Sequence, residues 1–323
     1  MNANDLDARR SRYYGRIDPL HMAPLWTRLK ALVPREPAPV GRAHRWRYAE
    51  VRPHVLESAE HITAREAERR VLILENPGLR GTSQVTQNLY AGLQLIMPGE
   101  TAPAHRHTQS ALRFIVEGEG AYTTVDDRQV TMRPGDLVIT PAWRWHLHGN
   151  ASAEPMVWLD GLDIPMAMYF GGTFREDEHE REGAAPAAGD LPPIHFPYAE
   201  SRHRLEALAK HGPPDPHSGY LLRYLDEATG DWAMPTMATT IRCLPGGFRT
   251  RPYRSSDSAV FAVVEGRGRL HLKGESFDLE PHDVAVVPGW TPYELEADGA
   301  LVLFAYSERA AQEKLGFFRE QRL

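Results

Sequence analysis

The chain has 323 residues, 42% of them apolar, with 37 basic and 43 acidic side chains and a net charge of −6. That length suits one large or two medium domains, and the mild acidity argues against a nucleic-acid partner, which needs a basic footprint. Cys243 stands alone, which excludes an internal disulfide and fits a reducing compartment, and no apolar run approaches the roughly 18 residues of a membrane span. The opening stretch MNANDLDARRSRYYGR lacks the apolar core of a signal peptide, so a cytoplasmic location is the expectation.

Residues 1–76 read as a helical, peripheral arm. Met22–Val33 places Leu25, Leu29 and Leu32 near one helical face before Pro34 ends it, and Val55–His61 is a second helix candidate. Thr63 with Glu66 three residues on is a capping box opening a short helix to Arg70, and Val71–Leu74 then reads as a buried strand. From Asn88 the period changes to two. Leu89, Ala91, Leu93 and Leu95 share one face, and Tyr90, Gly92 and Gln94 the other. Short strands follow, separated by Gly118, Gly120 and a hairpin tip at Asp126-Asp127, up to Met156–Asp160. This pattern predicts an all-β barrel over residues 77–173. Arg175–Glu182 is a charge run and Gly183–Gly189 a low-complexity linker, so 174–215 reads as linker plus a helix over Arg202–Lys210.

The remainder repeats the first barrel. Leu244-Pro-Gly246 echoes Met97-Pro-Gly99, Val263–Gly266 echoes Ile115–Gly118, and Glu280–Trp290 echoes Arg133–Trp143. The expectation is all-β with peripheral helices: two barrels, the second over 216–323 and ending in a helix.

The chemistry concentrates in residues 97–150. His105 and His107 are two apart, so on a strand both imidazoles project the same way, and His146 and His148 repeat that spacing. Three imidazoles without a thiolate suit a divalent first-row metal, and a half-open coordination sphere suits catalysis. Paired histidines can also merely line a barrel, but both spacings and both turns agree. Gly99, five residues, His105, one residue, His107 resembles the first cupin signature. Gly135, five residues, Pro141, then His146 and Asn150 resembles the second. Two positions depart from it: Ala111 stands where many cupins place a glutamate, and Trp143 where a glycine is usual. In the second half the ligand slots hold Pro252 or Tyr253, Arg254 or Ser255, and Tyr293, so this barrel is expected to hold no metal.

The stretch Ala102–Gly118, together with Glu68–Pro77, Leu222–Tyr224, Met234–Thr236 and Gln312–Gly316, resembles the gentisate 1,2-dioxygenases. Their bicupin family also holds salicylate and 1-hydroxy-2-naphthoate dioxygenases. The resemblance implies two double-stranded β-helix barrels, one Fe(II) per chain on His105, His107 and His146, and a homotetramer. It also places Arg69, Gln94, Arg113, His148 and Asp160 in or beside the substrate pocket. The implied reaction opens gentisate between its carboxyl- and 2-hydroxyl-bearing carbons, using O2, to give maleylpyruvate. Salicylate, a substituted salicylate or 1-hydroxy-2-naphthoate are alternative substrates. A metal-dependent isomerase or a binding protein on the same barrel is the remoter alternative. Leu147 replaces the acid common between the family's second histidine pair. Arg113, an even number of residues from His107, suits a substrate carboxylate, and His148 suits a phenolic proton as a catalytic group. Tyr90 and Gly92 are expected to set pocket width, with Gly92 leaving room for a ring substituent.

Overall fold

The computed structural model describes residues 3–180 and 189–323. Most of the linker read at 183–189, and the end of the charge run, lie outside the described residues. Residues up to Ala38 form one compact unit and Pro39–Leu323 a second. The first contains α1 (Ala3–Ile17) and α2 (Leu25–Leu32), and α2 leaves Leu25, Leu29 and Leu32 exposed. Among the described residues, no helix is long and apolar enough to cross a membrane.

The second unit is built of strands with a few short helices. It begins with β1 (His44–Trp46), α3 (Tyr48–His61), α4 (Ala64–Ala67), β2 (Val71–Ile73) and β3 (Tyr90–Ile96). Next come β4 (Thr101–His107), β5 (Ala111–Glu117), β6 (Ala121–Val125), β7 (Arg128–Thr131), β8 (Leu137–Thr140), β9 (His146–Asn150) and β10 (Met156–Leu162). A connecting stretch carries α5 (Ile164–Tyr169), β11 (Arg175–Asp177), β12 (His195–Phe196) and α6 (Tyr198–His211). The rest is β13 (Tyr220–Arg223), β14 (Ala238–Leu244), β15 (Tyr253–Ser255), β16 (Ala259–Glu265), β17 (Gly268–Leu272), β18 (Glu275–Leu279), β19 (Val284–Val287), β20 (Tyr293–Ala297), β21 (Leu301–Ser307), α7 (Arg309–Lys314) and β22 (Glu320–Arg322).

Two sheets make each barrel. In the first, β12-β8-β5-β10-β3-β2 faces β11-β4-β9-β6-β7; in the second, β1-β19-β16-β21-β14-β13 faces β18-β17-β20-β15-β22. The expected all-β bicupin architecture holds. The six-stranded sheets pack on each other through one apolar core, in which Leu89, Leu93, Leu112 and Leu159 meet Ile241, Val260, Val302 and Phe304. Phe114 stacks on Phe304 with ring centroids 4.3 Å apart, and the Tyr306 hydroxyl donates to the Tyr90 carbonyl at 2.8 Å. Period-2 faces explain the division. The Leu89–Leu95 face enters this shared core, and the Tyr90–Gln94 face lines the first barrel's interior.

The structure corrects several local readings. The arm is not purely helical, because His44–Trp46 pairs with β19 at the edge of the second barrel. Three residues are too few to show a period. Val71–Ile73 is an edge strand rather than a buried one, with Leu72 and Ile73 38% and 42% exposed. The second helix starts at Tyr48, not Val55, and runs through Pro53. The capping box at Thr63 and Glu66 is present, but its helix ends at Ala67. After α7 the chain finishes in β22, paired with β15.

Candidate metal centre

The antiparallel pairing of β4 with β9 sets His105 opposite His146, and His107 follows two residues on. One ligand atom from each of the three lies within 4.8 Å of the others, and the ring centroids are 4.2–5.2 Å apart. The turn before β9 is closed by Trp143, which has φ of 62° where a glycine was expected. A bulky residue rarely takes that conformation. Here the backbone amide of Trp143 donates to the His107 carbonyl at 2.7 Å, and its ring lies 4.6 Å from the buried Arg106 guanidinium carbon. Arg106 also faces Trp145 and pairs with Glu176. The two tryptophans thus clamp a cation beside the cluster.

The protonation states suit metal binding. Nδ1 of His107 points at the Gln109 carbonyl (2.8 Å) and Nδ1 of His146 at the Arg144 carbonyl (2.9 Å), so each ring keeps its proton on Nδ1. Nε2 of His146 is buried with no hydrogen-bond partner, an orphaned lone pair. Burial, reinforced by neighbouring positive charge, lowers His105 to about 2 and His107 to about 4. His146 is held well below its ordinary value, again first by burial. All three are therefore neutral at pH 7, as ligation requires. Ala111 is buried and offers no carboxylate, so the cluster is three neutral nitrogens, a set that fits a divalent first-row cation.

Around the cluster lies a charged inner wall. Arg113 donates to Thr140 Oγ1 at 2.6 Å, and its Nε stands 3.8 Å from Asp160 Oδ1. Both are buried. Desolvation lowers Arg113 to about 10 and raises Asp160 to about 6 against the pull of Arg113. Trp158 Nε1 donates to Asp160 at 3.0 Å. Arg69 lies against Nδ1 of His105 and donates to the Pro103 carbonyl at 3.0 Å; burial and the nearby Arg113 lower it to about 9. His148 is completely buried beside His146, with Nδ1 2.9 Å from Thr123 Oγ1 and Nε2 unpartnered. Burial keeps it neutral. A metal-sized gap between three imidazoles, bordered by two arginines and a neutral histidine, can hold a small anionic chelator.

The cupin domain family matches residues 92–162 and 240–306, once in each barrel. The chain is 45% identical to the gentisate 1,2-dioxygenase 1 of Aquipseudomonas alcaligenes over 97% of its length and 96% of that protein's. The chain belongs to the gentisate 1,2-dioxygenase family. A Streptomyces gentisate 1,2-dioxygenase is 37% identical over 96% of this chain and 94% of its own. The crystal structure of the salicylate 1,2-dioxygenase from Pseudoaminobacter salicylatoxidans, an adduct with gentisate, superposes with a TM-score of 0.88 at 33% identity, covering 99% of this chain and 94% of that one. As a member of this family the chain is a ring-cleaving oxidoreductase with a metal cofactor.

The structure brings the sequence-selected residues of this dioxygenase onto one barrel interior. Tyr90, Gly92 and Gln94 share the β3 face opposite β10, where Gly92 pairs with Asp160. The room expected at Gly92 is already taken. A Cβ there would lie 2.4 Å from a Val71 methyl and 2.9 Å from the Tyr90 hydroxyl. Thr123, Thr140 and Trp158 escaped sequence reasoning although each holds a site side chain. Their only signal was an inward period on strands read as packing.

Strand register also resolves the second barrel. Tyr253 pairs with Tyr293 as His105 pairs with His146, and Trp290, φ 60°, donates to the Ser255 carbonyl as Trp143 does to His107. The three imidazole positions are thus Tyr253, Ser255 and Tyr293.

Proposed function

We propose that this chain is an iron(II) dioxygenase that opens gentisate between its carboxyl- and 2-hydroxyl-bearing carbons. Both atoms of O2 enter the product, maleylpyruvate. The observation that carries the reading is the cluster of three neutral histidines, with an orphaned buried nitrogen, facing Arg113, Arg69 and His148. His105, His107 and His146 hold the metal. Bound there, iron supplies electron transfer between an aromatic ring and dioxygen without an external reductant. The protein does the rest. Arg113 pairs with the substrate carboxylate, its planar fork held by Thr140 and its charge partly offset by Asp160. Ligation through Nε2 would keep the proton of His105 on Nδ1, which then donates a hydrogen bond to the Pro103 carbonyl and frees Arg69 to turn its guanidinium toward the substrate. Nε2 of His148, neutral and unpartnered, receives the phenolic proton. Tyr90 and Gln94 flank the ring.

Salicylates are the second reading, favoured by Leu147, which leaves the site without the family's usual acid. The crowding of Gly92 by Val71 disfavours bulky substituted salicylates, and the second hydroxyl of gentisate, para to the first, favours gentisate by making its ring easier to oxidise. On the same reading the protein works in the cytoplasm and, by the family's precedent, as a homotetramer. The test is oxygen uptake by iron-loaded protein with gentisate, salicylate, a 5-substituted salicylate and 1-hydroxy-2-naphthoate. Gentisate should give the highest kcat/KM, with absorbance of a ring-opened product. Consistently faster salicylate turnover overturns the assignment of substrate.

A further inference from the structure

The second barrel carries a site of its own. A cavity of about 270 Å³ opens among β14, β15, β20 and β21, at the place that the histidine cluster holds in the first barrel. Arg242 lines it from the β14 position equivalent to Gln94, since both lie two residues before the end of an equivalent pairing, Arg242 with Leu303 and Gln94 with Trp158. Arg242 is only 9% exposed, its Nε is buried with no partner, and among the described residues it makes no ion pair with a carboxylate. It stands beside the Tyr293 hydroxyl, and its guanidinium carbon lies 5.4 Å from the Phe261 ring centroid. Of the other arginines of this cavity, Arg322 pairs with Asp215, Arg309 with Glu313 and Glu320, and Arg223 lies over the Trp232 ring. A buried guanidinium with nothing to neutralise it is costly unless an anion arrives. At another point of the wall, Asp257 Oδ1 is buried and unpartnered, an acceptor without a donor.

These features define a ligand. Arg242 asks for a carboxylate, Asp257 for a hydroxyl donor, and the rings of Tyr253 and Tyr293, 6.0 Å apart and nearly perpendicular, for a flat apolar body. The volume falls below the roughly 300–1,000 Å³ of drug-sized sites, which suits a single ring. We propose that the second barrel binds one single-ring aromatic hydroxy acid, without a metal, between Arg242 and Asp257.

The probe is 4-hydroxybenzoate, whose carboxylate and hydroxyl lie at opposite ends and which lacks the ortho pair needed to chelate iron. Calorimetric titration of the iron-loaded enzyme should give saturable binding. Arg242→Gln should weaken it at least tenfold, and Thr240→Phe, which fills the cavity while keeping the arginine, should abolish it. Both variants should keep gentisate turnover within about twofold, which also reports that they fold. Benzoate should bind more weakly than the probe, and Asp257→Asn should narrow the difference. Absence of saturable binding, or binding that neither Arg242→Gln nor Thr240→Phe alters, overturns the proposal. Inorganic phosphate binding with the same dependence while 4-hydroxybenzoate fails would overturn the ligand class.

Discussion

Replacing Arg113 with Met separates the two tasks given to that side chain. At 3.8 Å from Asp160, both groups buried, the attraction is about 4 kcal/mol at an effective dielectric near 20. Even with that attraction, burial lifts Asp160 from 3.8 to about 6. The folded state therefore binds more protons than the unfolded one between those values. Stability falls as pH rises through that window, by about 3 kcal/mol in all. In Arg113→Met the carboxylate keeps only Trp158 and the weaker pull of Arg69, stays protonated to higher pH, and extends the falling window above pH 6. Near pH 4 Asp160 is neutral in both proteins, and the variant should lose only its bond to Thr140 and some packing, about 1–2 kcal/mol. Above pH 6 the deficit should widen, reaching at most about 4 kcal/mol more. Urea unfolding of both proteins from pH 4 to 9, with metal removed so that ligation does not enter, measures the difference. A deficit that does not change with pH would refute the coupling of these two charges. In metal-loaded protein the same variant should weaken gentisate binding by about 2–5 kcal/mol while metal content stays unchanged.

Single substitution of His105, His107 or His146 by Ala should abolish turnover and strip most of the metal, since two imidazoles hold a divalent ion poorly; elemental analysis beside oxygen uptake reads both. Fully loaded protein should contain about one iron per chain, because the equivalent positions Tyr253, Ser255 and Tyr293 offer no imidazole; two would reveal a site in the second barrel. Gly92→Ala should lower kcat/KM and stability by about 1–3 kcal/mol through its clash with Val71, and adding Val71→Ala should restore part of both, measured by thermal melts and kinetics. Thr123→Val, which removes the hydrogen bond that orients His148, should lower kcat more than it raises KM; an effect on KM alone would make His148 a packing residue.

What the sequence made legible follows from which signals are local. The histidine pairs and their turns lie within 54 residues, so strand periodicity alone placed His105 and His107 on one side, and the repeated Pro-Gly turns disclosed the second barrel. Register across strands is not local. Whether Tyr253 or Pro252 matches His105 was undecidable until Tyr253 was seen opposite Tyr293, with Trp290 reproducing the positive φ of Trp143. The short edge strands His44–Trp46 and Glu320–Arg322 come from opposite ends of the second unit, and each is held by its neighbour rather than by its own propensity. Polar supports such as Thr123 and Thr140 were invisible for the same reason: their value lies in the partner, not in the residue.

The duplicated frame explains why the two interiors could diverge without loss of fold. The residues that build each barrel face the shared core, where Phe114 meets Phe304, or sit in the turns, where Trp143 and Trp290 each hold a strained backbone against an arginine. The residues that do chemistry sit on the opposite strand face, which period two isolates from that core. On β3 and β14 this is plain: Leu93 and Ile241 point into one common core, while Gln94 and Arg242 point into separate barrels. A change from imidazole to tyrosine or serine on the inner face therefore alters ligand chemistry while leaving the interface between barrels untouched. Tyr306 spans the boundary: it lines the second cavity and donates to the backbone of Tyr90 in the first barrel.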